Sequence, residues 1–62
     1  MGDLINDMLN NNDFLILYRI DGNKNFIFCK DAKSAEDFTL NLNSFKGKIA
    51  WHVLETAKFR LV

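Results

Sequence analysis

Hydrophobic residues take different spacings along this chain, and each spacing predicts an element. Between Asp3 and Leu9, the apolar residues Leu4, Ile5, Met8 and Leu9 fall at i, i+1, i+4 and i+5, which gathers them on one side of a short helix. Asp3 suits the positive end of that helix dipole. Asn10-Asn11-Asn12 then reads as a stop and a turn, because asparagine tolerates left-handed backbone and bonds its own main chain. So short a helix is unstable alone.

The period then shortens. Phe14-Leu-Ile-Leu-Tyr-Arg-Ile20 and Phe26-Ile-Phe-Cys29 are strand-like apolar runs, separated by Asp21-Gly22-Asn23-Lys24-Asn25. Asp-Gly followed by Asn predicts a β-hairpin, since these residues accept the positive φ of a tight reversal. In the first run Phe14, Ile16, Tyr18 and Ile20 point one way, and Leu15, Leu17 and Arg19 the other. Both faces carry apolar residues, and one helix can cover only one of them.

Ala32, Ala35, Phe38, Leu42 and Phe45 recur at spacings of 3, 3, 4 and 3, which predicts a longer helix from Asp31 to Phe45. Asp31 is the expected N-cap, with Ser34-Ala-Glu-Asp37 as a capping box if the helix begins one turn later. Lys46 complements the negative dipole end, and Gly47 supplies a left-handed stop. Lys48 to Val62 fits either period. The strand reading is preferred because it buries Trp51 and Phe59, which a helix would expose. Fifteen residues are long for one strand, so a bend or turn is expected near Glu55-Thr56-Ala57-Lys58.

Together these predict one small α+β domain over residues 1–62. Its parts are a short N-terminal helix, a β-hairpin, one longer helix packed on a small antiparallel sheet, and one or two C-terminal strands (αββαβ or αββαββ). One sheet face stays uncovered in a monomer, and free strand edges are ready to pair, so a homo-oligomer, the simplest case being a homodimer, is expected.

Composition narrows the chemistry. The chain has 62 residues, is 48% hydrophobic and lacks proline, which excludes collagen-like and disordered classes. Eight basic residues balance eight acidic ones, so no global field draws it to nucleic acid or membranes. One cysteine and one histidine cannot form a disulfide or a zinc-ligand set. The longest apolar run, Phe14 to Tyr18, is far too short to span a membrane, and the N-terminus lacks signal-peptide features. A cytoplasmic location, with no membrane partner, is the expectation.

No enzymatic constellation is assembled. Cys29 and His52 form the one thiol–base pair worth naming, yet a cysteine after Phe26-Ile-Phe28 is better read as a small buried hydrophobe, and His52 as a surface imidazole. Glu36-Asp37 are helix-start acids. Asp21 and Asp31 suit turn and capping roles, and no spaced calcium loop or glycine-rich phosphate loop is present. No cofactor and no metal are expected.

Charge is uneven along the chain. Residues 1–31 hold five Asp against Arg19, Lys24 and Lys30, and residues 32–62 hold five basic against three acidic groups. A C-terminal strand would align Lys48, His52, Lys58 and Arg60 on one face with Lys46 nearby, the outline of a nucleic-acid surface. Trp51 and Phe59 would fall on the opposite side, away from any stacked base. The favoured expectation is a non-enzymatic protein–protein interaction module, with Tyr18 and Trp51 as aromatic anchors, Arg19 as a polar contact, and Leu4 with Met8 as a second apolar patch. Leu4, Ile5, Met8 and Leu9 are expected to cap the chain's own sheet, with docking on a partner as the alternative. In length and style the chain is similar to small bacteriophage or mobile-element proteins that bind and block a host or defence protein. The second functional reading is a small nucleic-acid-binding regulator using Lys46, Lys48, Lys58 and Arg60.

Overall fold

The computed structural model describes residues 3–60. The element order is α1 (Asp3–Asn11), β1 (Phe14–Ile20), β2 (Asn23–Cys29), α2 (Ala32–Asn43), β3 (Ile49–Glu55) and a 3₁₀ turn (Thr56–Phe59). The strands form one antiparallel sheet in the order β2-β1-β3, the αββαβ form of the expected α+β fold. No helix among the described residues is long and apolar enough to cross a membrane.

The hairpin is tighter than the sequence predicts. Asp21 and Gly22 both take positive φ, +50° and +87°, the combination a two-residue mirror-image turn needs to match strand twist. Ile20 therefore pairs with Asn23, and Asn23-Lys24-Asn25 joins β2 rather than the turn. Because β2 and β3 flank β1 and are both antiparallel to it, they run parallel to each other. Their connection, residues 30–48, must cross over β1, and α2 is that crossover. A single crossover helix lies on one face only.

That face holds the core. Ile16 of β1 is fully buried and clusters with the buried Cys29 and Ala35, and Phe14, Tyr18, Ile27 and Phe38 pack around them. Tyr18 meets Phe38 edge to face at 5.1 Å, within the favourable range for aromatic pairs. Leu42 closes the far end of the helix stripe.

Asp31 is the N-cap of α2, accepting the Ser34 N–H at 2.8 Å. That bond holds the Asp31 carboxyl below the usual carboxylate range. Since the folded value is lowered, the stabilisation is present above the ordinary aspartate range and lost as pH falls through the folded value. An Asp31→Asn variant keeps the acceptor without the charge. The stability gap between wild type and variant should therefore shrink from pH 7 to pH 3 in urea unfolding; an unchanged gap would show that the ionised cap contributes nothing.

The helix ends earlier than predicted, at Asn43, where Ser44 donates its N–H to Asn41 O at 3.1 Å and its hydroxyl to the same carbonyl at 2.7 Å. Gly47 is not the helix stop. It sits at φ +140°, and a Cβ there would lie 2.7 Å from Asp21 Oδ1. That oxygen accepts the Lys48 N–H at 3.0 Å, and the Asp21 N–H donates to Lys48 O at 2.9 Å. The glycine lets two loops clasp. Gly47→Ala should cost about 1–3 kcal/mol through backbone strain plus the displaced clasp. Gly22→Ala, strained but facing open space, should cost less; equal losses in thermal melts would remove the clasp from the account.

The terminal segment bends where the sequence suggested. β3 stops at Glu55 and residues 56–59 turn as a 3₁₀ helix, so there is no second C-terminal strand among the described residues, and Leu61 and Val62 lie outside them. The strand reading holds for residues 49–55, but not for the reason given. Trp51 sits on an edge strand and stays 36% exposed, and Phe59, in the 3₁₀ turn, is 50% exposed.

α1 runs through Asn10 and Asn11 and ends at Asn12, whose N–H and side-chain amide both donate to Met8 O. The left-handed geometry expected at the asparagines is not used; the one positive φ outside glycine among the described residues is at Asp21. α1 is fixed to the body at its C-terminal end. Arg60 donates from Nε to Leu9 O at 2.8 Å and from Nη2 to Asn12 O at 3.3 Å, and the buried Thr56 hydroxyl donates to Asn12 O. The radius of gyration is 12.5 Å, against about 10.6 Å for a compact chain of this length. α1 and the 3₁₀ turn extend one end of the sheet, giving dimensions of 40 × 24 × 15 Å.

Candidate functional site

The register places every side chain of the face opposite α2. Leu15 pairs with Phe28 and Leu54, Leu17 with Phe26 and His52, and Arg19 with Lys24 and Ala50. Paired residues share a face, so the uncovered side reads from one end to the other as an apolar floor followed by cations. Leu15, Phe28 and Leu54 are half-buried by one another; Leu17 and Phe26 are exposed, Phe26 at 65%. Phe26 and Phe28 meet edge to face at 6.1 Å.

Two cations lie directly opposite each other at the hairpin end. Arg19 faces Lys24 across the ladder, a like-charge pairing that destabilises a sheet. Neither has an acidic partner among the described residues, whose ion pairs are Lys33–Asp37, Lys58–Glu55 and Arg60–Asp13. An open concavity of about 430 Å³ lies over this end, lined by Leu17, Arg19, Lys24, Ala50 and His52, together with Tyr18 and Trp51. Chemically, the face offers contact area and unneutralised positive charge.

The residues singled out from the sequence separate. Tyr18 and Trp51 pair across β1 and β3 on the α2 side, and Arg19 projects from the opposite side. Tyr18 is part of the core packing through Phe38, so it is not a free anchor, and removing it costs stability. Leu4 and Met8 do form an exposed patch with Ile5. α1 does not lay this stripe on its own sheet as expected: Leu4 is 73% and Ile5 66% exposed, and the helix packs on the 3₁₀ turn.

The C-terminal basic face is not assembled. Lys46 and Lys48 belong to the α2–β3 loop, Lys58 pairs with Glu55 at 3.8 Å in the 3₁₀ turn, and Arg60 is committed to the carbonyls ending α1. Of the residues expected on that strand face, His52 lies on the open sheet. Cys29 is buried on the α2 side of β2 while His52 is on the other side of β3, with β1 between them. They do not meet. Burial, aided by the Asp31 charge, pushes the Cys29 thiol up, which lowers its thiolate fraction at neutral pH.

Alternation along β1 sets Leu15 and Leu17 on one face, whereas Phe26, Phe28, Leu54 and Lys24 beside them follow only from the strand register. Comparison with known protein families, curated proteins and solved structures finds no match.

Proposed function

We propose that this chain is a non-enzymatic protein-interaction module whose binding surface is the open face of its sheet. The observation that supports this is the contiguous set Leu15, Leu17, Phe26, Phe28 and Leu54, left uncovered by a one-helix crossover and bordered by Arg19, Lys24 and His52. A contiguous apolar surface of this kind, half-buried at its floor and exposed at Leu17 and Phe26, marks interaction sites in soluble proteins. The complement is a protein surface with apolar side chains flanked by carboxylates. On so small a chain an interface of about 800 Å² per partner takes a large share of the 4915 Å² surface. The mechanism is steric: the module occupies and blocks a site on a larger protein, as small bacteriophage or mobile-element inhibitors do. Self-association uses the same face.

Phe26 beside Lys24 and Arg19 also gives the nucleic-acid reading a surface, different from the one the sequence suggested, since an exposed ring near cations can stack a base. The aliphatic floor and the balanced net charge favour protein.

Affinity capture separates the two. Wild type and Leu17→Asp, both confirmed folded by circular dichroism, are compared as bait. The expected result is a discrete protein retained at 300 mM salt and after nuclease treatment, and lost with Leu17→Asp. Capture indifferent to Leu17→Asp, or released by nuclease and by moderate salt through counterion release, would refute the proposal.

A further inference from the structure

Among the described residues two apolar surfaces lack cover, the open sheet face and the outer stripe of α1, and they are complementary in charge. α1 contains two aspartates and no base; the hairpin end of the open face contains Arg19 and Lys24 without acidic partners among the described residues. The two features sit at opposite ends of the sheet. α1 is fastened beside Phe14 and Glu55 through Thr56 and Arg60, whereas Arg19 lies five residues further along β1, about 17 Å away at strand spacing. Within one chain the acids of α1 therefore cannot neutralise the cations.

A second copy removes that obstacle. When two open faces meet about a two-fold axis perpendicular to the strands, the α1 end of each chain falls on the hairpin end of the other. Resting on the reading of the open face given above, we propose that its occupant in the absence of a heterologous partner is a second copy of this chain. The Leu4–Ile5–Met8 stripe and Asp7 of each protomer meet the Arg19 and Lys24 end of the other, while Leu17 and Phe26, midway along their strands, meet their counterparts near the axis. The contact is isologous and closes on itself.

Area points the same way. Three strands of seven residues give a footprint of about 14 by 24 Å, roughly 340 Å², short of the roughly 800 Å² per partner of a stable interface. Side-chain relief enlarges that figure, and α1, about 13 Å long, adds its own stripe on each side of the axis. A sheet-to-sheet contact without the helix would leave Leu4 and Ile5 as exposed as they are now. The exchange also accounts for a nine-residue helix with its apolar side turned outward, which cannot hold itself together by propensity. A consequence for function is competition: a protein partner and the second copy claim the same surface.

The test is mass in solution by light scattering and sedimentation across micromolar to millimolar concentrations of the full chain, with circular dichroism as the check on folding. Wild type should move from 7.2 kDa toward twice that mass. Leu17→Asp on the sheet and Ile5→Asp on the helix should each weaken the dimer about tenfold or more. Asp7→Arg and Arg19→Asp should each weaken it, and the double charge reversal should recover most of the loss. A wild type that stays monomeric throughout overturns the proposal, and so does a dimer indifferent to Ile5→Asp and to both charge reversals. Neither result touches partner capture that depends on Leu17, whereas capture indifferent to Leu17→Asp defeats the interaction reading even if the chain dimerises.

Discussion

Ile16→Ala should leave most of this protein unfolded at room temperature. Ile16 lies in the central strand, has no exposed surface, and lies against Cys29 and Ala35 with four half-buried hydrophobics around it. Truncating such a residue removes its transfer free energy and leaves a cavity, at a combined cost of about 2–5 kcal/mol. A chain of this size with one core rarely has more than about 3–5 kcal/mol of stability. The loss therefore matches the total, and among the described residues no disulfide and no cluster of metal-ligating side chains offsets it. Ile16→Val, which removes one methylene and keeps the β-branched shape, should cost only about 0.5–1.5 kcal/mol and stay folded. Urea unfolding followed by circular dichroism distinguishes the two. A cooperative transition for Ile16→Ala with less than about 1 kcal/mol lost would mean that the buried strand face is not the principal source of stability.

The same residue shows what was legible in the sequence. Alternation along Phe14–Ile20 put Ile16 on the side of Tyr18 and Phe14, and the Ala35–Leu42 stripe identified the helix that covers it; both follow from period alone. The open face was within reach by arithmetic. Once Asp21-Gly22 is taken as a two-residue turn, Ile20 must face Asn23, and Leu17 must face Phe26. A five-residue turn instead hides the aromatic half of the face. The position of β3 was different in kind, because its place beside β1, rather than beside β2, depends on where the crossover helix lands and not on any residue of β3 itself. The role of Gly47 escapes a local reading for a related reason. Its role depends on Asp21, far away in sequence, and a helix stop was the nearest local explanation. The fate of α1 was illegible too, since a stripe of Leu, Ile and Met looks the same whether it covers its own sheet or another chain.

Removing the Arg60 side chain should detach α1 while leaving the sheet folded. The guanidinium donates to Leu9 O, to Asn12 O and to the Thr56 hydroxyl, with Asp13 Oδ1 3.6 Å away. The last carbonyls of a helix have no partners within it, and a cation there also meets the negative end of the dipole. Hydrogen bonds from a charged donor are worth about 1.5–3 kcal/mol, so Arg60→Ala should cost about that much. Within one protomer, and among the described residues, the loss falls on a helix held otherwise through Thr56, which is fully buried and also donates its backbone N–H to Asp13 O at 3.0 Å. Thr56→Val, which keeps the volume and deletes the hydroxyl, should cost about 1–3 kcal/mol by leaving the Asn12 carbonyl with a poorer partner. Hydrogen exchange gives each prediction a location. In Arg60→Ala the amides of residues 6–11 should exchange nearly as in a free peptide while those of β1 stay protected, because fraying α1 exposes no part of the Ile16 core. Arg60→Lys, a single point charge without the guanidinium fork, should fall between the two. Uniform loss of protection across α1 and β1 would instead make α1 part of one cooperative unit with the sheet, and the helix would then be no separable arm.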